Sequence, residues 1–351
     1  LRRPIEPLRR RRSSVYISSR GALSLRPLMA SIQVVAPDYS GMAKDVGIIR
    51  DALASTSFEV AWGVPRELNV TQKLIRKSRV LDPRRHRFCL NILIQAPFKW
   101  MIQDAAKNCL IPNPEWFSDM DIGQLRHVSE VWCKSESAVK AFRDLGCKTR
   151  FIGFCGRDVY DPVAASRPRR FDRCLHVSGS NAWKGTQVLL DTWLMHPEWP
   201  HLTIVCRVPI RRPAALPPNV TFDNRFVPED ELRGLFNSCG INIQPTEMEG
   251  YGHSLAEAMS SKAVVLVTNG APMNERVDAG QVVFIEPARQ QPHYRGRRYF
   301  VTPSSIEAAM EAVLSMSEAQ RSEMGEIARR TFLAERAVLP GRLRDAVAAM
   351  I

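Results

Sequence analysis

Short apolar runs alternate with stretches whose apolar positions recur at helical spacing along most of the chain, the pattern of parallel strands joined by crossover helices. In the first half the runs Ile32–Ala36, Phe58–Trp62, Phe88–Gln95, His127–Cys133 and Arg150–Phe154 read as strands. Helices fit Asp45–Ala54 and Glu136–Leu145. The second is opened by Ser135, a side-chain cap, and closed by Gly146, which tolerates left-handed backbone. A polar, proline-bearing stretch from Arg157 to Arg170 then interrupts the series and reads as a linker. A second series follows, with strands at Cys174–Ser178, Leu202–Val208, Val220–Phe222, Ile241–Gln244, Val264–Thr268 and Val282–Ile285. Its helices fit Thr186–Leu194, Asp230–Ser238, Ser254–Ser260, Ile306–Met316 and Glu318–Phe332. Ser304 and Glu307 have the spacing of a capping box, and Arg342–Ile351 reads as a separate amphipathic helix.

Two α/β units in tandem leave a cleft. In open parallel sheets ligands sit beyond the carboxyl ends of the strands, so chemistry is expected in the loops that follow them. The length of 351 residues fits two such units. With 45% hydrophobic and 24% charged residues the composition is that of a folded protein, and no apolar run is long enough to span a bilayer. None of the eight cysteines forms a C-x-x-C pair and several lie inside apolar runs, so reduced, buried thiols in a cytoplasmic protein are expected rather than disulfides or zinc ligands.

The formal net charge is +13, and more than half of the excess falls in residues 1–28, which hold eight arginines and only Glu6 as an acid. This leader is expected to be disordered. A transit peptide, a basic arm for an anionic surface, and an extension ahead of a natural start at Met29 all fit it. No basic and aromatic pattern runs through the rest, so no nucleic-acid partner is expected. Peripheral membrane contact through the basic first half stays open, without a visible amphipathic anchor.

One segment concentrates the chemistry: Glu247-Met-Glu-Gly-Tyr-Gly-His-Ser-Leu-Ala-Glu-Ala-Met259, a strand exit, a glycine-bearing loop and a helix start. Gly250 and Gly252 let the backbone approach a ligand, and amides at the following helix N-terminus suit a diphosphate. Glu249 lies in the loop. Glu257, eight positions on, falls in the first turns of the helix, where a carboxylate can take both hydroxyls of a ribose.

The run Glu249-Gly-Tyr-Gly-His-Ser-Leu-Ala-Glu257 resembles the Glu-x7-Glu motif of retaining, GT-B-fold glycosyltransferases of the group 1 type. The resemblance implies two Rossmann-like domains with a cleft between them: an acceptor domain over residues 29–156, a linker over 157–170, a donor domain over 171–335 and a terminal helix over 336–351. It implies that Glu249 contacts the donor sugar as the catalytic carboxylate and that Glu257 holds the nucleotide ribose. Gly250, Tyr251, Gly252, His253 and Ser254 would then line the donor. Lys184-Gly185, after the first strand of the second unit, resembles the family's Lys-Gly element at the donor diphosphate. Glu275, ending Val267-Thr-Asn-Gly-Ala-Pro-Met-Asn, resembles the Glu of the next donor loop. The family's arginine five residues before the lysine is replaced by Gly179, and Arg207 is the candidate to supply its charge.

On the acceptor side Gly41, in Asp38-Tyr-Ser-Gly-Met-Ala-Lys44-Asp45, and Asn113 and Glu115, in Ile111-Pro-Asn-Pro-Glu, are the candidates, each set against a plain loop or turn. Trp183 is the tryptophan best placed as a sugar platform; Trp100, Trp116 and Trp199 read as packing. The implied reaction moves a sugar, as in a hexosyltransferase, from a nucleoside diphosphate sugar to an unidentified glycan, lipid or small-molecule acceptor, with retention. The donor is a substrate, and no cofactor is expected. Without a placed Asp-x-Asp pair no metal is expected either. Two other readings share the scaffold, a degenerate glycan-binding or scaffold protein and a sugar-nucleotide epimerase.

Overall fold

Hydrogen-bonding demand and the burial of apolar faces turn the runs into two layers of parallel strands, seen in a computed structural model that describes residues 31–37, 40–54, 56, 58–65, 86–164 and 169–351, with only the backbone for 40 and 41. The basic leader lies outside the described residues. In chain order the first half contains β1 (Ser31–Val35), α1 (Ser40–Ala54), β2 (Glu59–Gly63), β3 (Phe88–Gln95), β4 (Ala105–Pro112), the short α2 (Asp119–Ile122), β5 (Glu130–Cys133), α3 (Glu136–Asp144) and β6 (Thr149–Phe151). The second half contains β7 (Arg170–Gly179), α4 (Thr186–Met195), β8 (His201–Cys206), β9 (Val220–Asp223), α5 (Glu229–Ser238), β10 (Cys239–Gln244), α6 (His253–Ser260), β11 (Val264–Thr268) and β12 (Val283–Ile285). It closes with β13 (Arg289–His293), β14 (Gly296–Phe300), α7 (Pro303–Ser315) and α8 (Glu318–Ala348).

The strands form two six-stranded sheets, ordered β2-β1-β3-β4-β5-β6 and β12-β11-β10-β7-β8-β9. Every pairing within them is parallel. α3 follows its sequence signals. The Ser135 side chain accepts from the Ala138 amide, and Gly146 at φ 79° lets the Gly146 and Cys147 amides donate back to the Arg143 and Phe142 carbonyls.

Five expectations need correction. β4 was not anticipated, because Lys107 and Asn108 interrupt its apolar run; Asn108 is tolerated inside the sheet because Asn91 Nδ2 donates to its Oδ1 at 2.8 Å and its own Nδ2 donates to the Ile102 carbonyl at 3.1 Å. The expected strand from His127 begins only at Glu130, after a 3-10 turn over Leu125–His127. The antiparallel hairpin β13–β14, polar and proline-bearing, gave no strand signal. The capping box of α7 uses Thr302 and Ser305 rather than Ser304 and Glu307, whose carboxylate instead meets His196 at 3.0 Å.

The fifth correction concerns the separate helix expected over 336–351. α8 runs unbroken through Pro340, since Phe332, Leu339, Leu343 and Val347 fall on one buried face whose packing outweighs the cost of an interior proline, roughly 3 kcal/mol. α8 packs on α6 and then returns to α1, and its Leu343 and Val347 share one core cluster with Ile32 and Ile49 of the first lobe.

Where α8 starts its descent, Gly325 sits on the carbonyl of Lys262: an added Cβ would lie 2.2 Å from that oxygen. Gly325→Ala is expected to destabilise the protein by about 1–3 kcal/mol, despite alanine's better helix propensity, as measured by urea denaturation.

Candidate functional site

Three loops of the second lobe converge at the carboxyl ends of its strands. After β7 the chain turns through Asn181, whose side chain accepts from the Trp183 amide at 2.9 Å, to present Lys184. Gly185 follows at φ 66°, so close beneath Pro245 that a Cβ would lie 2.0 Å from its carbonyl oxygen. The Glu247 amide donates to the Trp183 carbonyl at 2.8 Å, and the Tyr299 amide donates to the Glu247 carbonyl at 2.8 Å. The lysine loop, the loop after β10 and the hairpin are thus laced by backbone bonds. Arg298 from β14 pairs with Glu247 and lies 3.8 Å over the Trp183 ring, taking one face of the tryptophan expected to be a sugar platform.

At the centre the Lys184 ammonium is buried, ion-paired with Glu249, and 3.1 Å from the Ser254 hydroxyl. Gly252, at φ 91°, is the N-cap of α6 and turns the motif loop into the helix. One turn further on, Glu257 is 1% exposed. Its carboxylate meets Lys44 of α1 at 2.5 Å and Arg157 at 3.5 Å, so a buried negative charge is compensated from the first lobe and from the segment that joins the lobes.

His253 faces the same way: its Nε2 lies 2.7 Å from Asp45 of α1. Asp45 is also ion-paired with Lys134, which follows β5 and donates to Asn113 Oδ1 at 2.9 Å; Asn113 donates in turn to Gln95 at 2.8 Å. Burial would raise the Asp45 pKa, but the Lys134 ammonium and the His253 contact outweigh it and hold the carboxyl well below the usual range. Gln95 sits at φ 80° at the end of β3. A non-glycine residue in that region is strained and collects at functional sites.

Glu115 ends this row. It is 5% exposed, its Oε2 has no hydrogen-bond partner, and burial, reinforced by the charge of Glu249 and Asp45, pushes its pKa up to about 8. Glu115 and Glu249 share the wall of a cavity of ≈ 570 Å³ between the lobes. On its far side the Glu275 carboxylate crosses the cleft to accept from the Glu136 and Ser137 amides, at 2.7 and 2.9 Å, at the N-terminus of α3.

Lys184, Glu249 and Ser254 thus meet directly, and Gly250 and Glu249 face Asn113 and Glu115 across the hollow between the lobes; His253 and Glu257 are turned to Asp45, Lys44 and Arg157, and Gly185 borders a separate pocket beside Pro245. Others stand differently. Tyr251 is buried between the Phe154 ring and the Arg276 guanidinium, a packing position. Glu275 is engaged by α3. Gly41 lies in the first turn of α1, which starts at Ser40, not in a loop.

Arg207 is exposed, with its guanidinium 5.5 Å over Phe226, and makes no ion pair among the described residues; its expected place beside Lys184 is not observed. Gly179 is left-handed, φ 57°, where the β7–β8 register shifts, so a side chain there would be strained. Sequence reasoning missed Lys44, Asp45, Lys134 and Arg276. The first two lay in a quoted loop, and Lys134 had one usable signal, its position directly after a strand and before a helix cap. Among the described residues no cluster of three or more His, Cys, Asp or Glu side chains is arranged to hold a metal, and no helix is long and apolar enough to cross a membrane.

Residues 214–331 match the family of glycosyl transferases group 1. A search of curated proteins finds no sequence match. Among solved structures, the chain is similar to a sucrose-phosphate synthase from Thermosynechococcus elongatus, with TM-score 0.67 and 14% identity over 92% of this chain and 100% of that one. It is similar to Anabaena HepE in complex with UDP and glucose, with TM-score 0.63 and 14% identity over 91% and 100%. A third likeness is to the trehalose-6-phosphate structure from E. coli bound with UDP-2-fluoro glucose, with TM-score 0.61 and 13% identity over 92% and 99%. The two parallel six-stranded sheets are thus those of the GT-B fold.

Gly250 gives the hollow its shape: a Cβ there would lie 2.5 Å from Asn113 Oδ1 and 2.8 Å from Glu115 Oε1. Gly250→Ala is expected to push the lobes apart at this point. Turnover of a nucleotide sugar should fall at least about tenfold, a loss of 1.4 kcal/mol, while affinity for the free nucleotide changes little. Equal losses in both would show that the glycine serves the nucleotide site alone.

Proposed function

This chain carries the group 1 glycosyl transferase segment within a GT-B fold, and we propose that it transfers a hexose from a nucleoside diphosphate sugar to a hydroxyl acceptor with retention of configuration. The observation that carries the reading is the grouping of Lys184, Glu249 and Ser254 at the start of α6, with Glu257 one turn behind. Lys184 supplies a fixed positive charge where the diphosphate leaves, and the Ser254 hydroxyl and the amides at the α6 N-terminus add donors beside it. Glu249 orients the donor sugar, and Glu257 takes the ribose hydroxyls. The charge that Gly179 cannot provide is assigned to Arg276, which is paired with Glu335 at 3.1 Å and donates to the Gly252 carbonyl at 3.4 Å at the start of α6.

A uridine donor is the first choice, because two of the similar structures hold UDP or a UDP sugar. The first lobe brings Asn113 and Glu115 to the acceptor side and excludes water from the reacting centre. A protein that binds a glycan without transferring it is the second reading, favoured by Gly179 at the position of the family's arginine.

Uridine and UDP separate the roles. In calorimetric titration Lys184→Ala is expected to weaken UDP about 10–100-fold and uridine little, since it removes a charge-assisted contact to phosphate of roughly 1.5–3 kcal/mol. Glu257→Ala is expected to weaken both ligands alike. UDP affinity unchanged in both variants would remove this hollow from consideration as a donor site.

A further inference from the structure

The cavity between the lobes has charges that are almost all spoken for. Of the cations on its wall, Lys140 is paired with Asp144 at 3.0 Å and Arg295 is paired with Asp119; Arg297 has no ion pair among the described residues, and it is exposed. The N-terminus of α3, the natural seat for an anion beside this cavity, is already filled by the Glu275 carboxylate. On this wall a phosphorylated or carboxylated ligand would meet only exposed or already paired cations, whose contacts are screened by water. What the wall does offer is Glu115, with an oxygen that meets nothing.

From this we infer that the cavity seats an uncharged, hydroxyl-rich acceptor, a sugar or polyol without phosphate or carboxylate, with one of its hydroxyls on the Glu115 carboxyl. The inference rests on the transferase reading, whose acceptor it specifies. The volume of ≈ 570 Å³ lies within the range of small-molecule sites, and the faces of Tyr294, Pro272 and Pro292 on the same wall suit the apolar side of a sugar ring.

Glu115 is built to meet a neutral partner. The hairpin backbone packs on it, a Cβ at Gly296 being 3.3 Å from the Glu115 Cα, and this shuts out water. The groups that face it are Glu249 from the motif loop, Asp45 from α1 and Lys134 after β5, with Arg295 and Arg297 flanking Gly296 on the hairpin. Lys134 is already engaged by Asp45 and Asn113. A second negative charge beside Glu249 is therefore disfavoured, and at neutral pH Glu115 keeps its proton and donates it to a hydroxyl oxygen. Because its pKa is raised to about 8, the donor is present below that pH and is lost above it. The residue positions the acceptor, and no proton transfer is assigned to it.

The test is calorimetric titration of the full chain with glucose and with glucose 6-phosphate, each with and without saturating UDP, at pH values one unit either side of the Glu115 pKa. Glucose is expected to bind about tenfold more weakly at the higher pH, the ratio of protonated fractions across that interval, and the 6-phosphate is expected to bind no tighter than glucose. Glu115→Gln keeps an uncharged donor and should flatten the pH dependence; Glu115→Ala should weaken glucose at both pH values. A 6-phosphate tenfold tighter than glucose, no glucose binding under any condition, or an unaltered pH dependence in Glu115→Gln would overturn the inference. Titration with UDP alone reports separately on the donor site, so failure of the transferase reading is distinguishable from failure of this one.

Discussion

The close approach of the Gly250 backbone to Asn113 and Glu115 is the contact on which the rest of the cleft depends. A single missing methyl group allows the motif loop of one lobe to lie against the acceptor-side loop of the other. Once that approach is made, the ionised groups near it lose water and must find partners across the gap. Glu257 finds Lys44, His253 finds Asp45, and Glu275 finds the first amides of α3. Each of these bonds joins one lobe to the other. The electrostatics of the cleft follow from a steric fact.

Burial sorts the carboxylates of this region into two kinds. Asp45, Glu249 and Glu257 are each paired with a cation, which holds the Asp45 carboxyl well below its usual range, whereas Glu115 has none to itself and is pushed toward its acid form. The difference lies in supply rather than in exposure, since Asp45 and Glu115 are both almost fully buried. Lys134 stands between them and is committed to Asp45 and Asn113. Two carboxyl groups, one on α1 and the other in the turn after β4, thus present opposite hydrogen-bonding characters, one an acceptor and the other a donor.

Much of the second lobe's sheet was legible in the chain, because each of its strands holds a short apolar run, and its motif occupies one strand, one loop and one helix start; the polar hairpin β13–β14 left no such mark. Glu249 and Lys184, which the fold brings together, stood out in the chain for that reason, and so did Glu257. The first lobe was harder. β4 carries Lys107 and Asn108 within its run, and the polar pair that makes Asn108 acceptable is visible only when β3 lies beside it. Lys44 becomes a site residue through tertiary placement alone, and Lys134 was marked only by its place between a strand and a helix cap. Arg207 shows the opposite failure: a charge of the right sign after the right strand lies instead on Phe226. The helix expected to stop at Phe332 runs on through Pro340, because a buried face holds it together.

The return of α8 to the first lobe has a consequence for how the protein is made. The sheet of the first lobe, whose strands precede those of the second, completes its hydrophobic core with Leu339, Leu343 and Val347, which follow the whole second sheet in the chain. Domains usually fold one after another during synthesis, but this face of the first lobe is expected to stay unfinished until α8 has been made. Made after both sheets, α8 is the clasp that joins them.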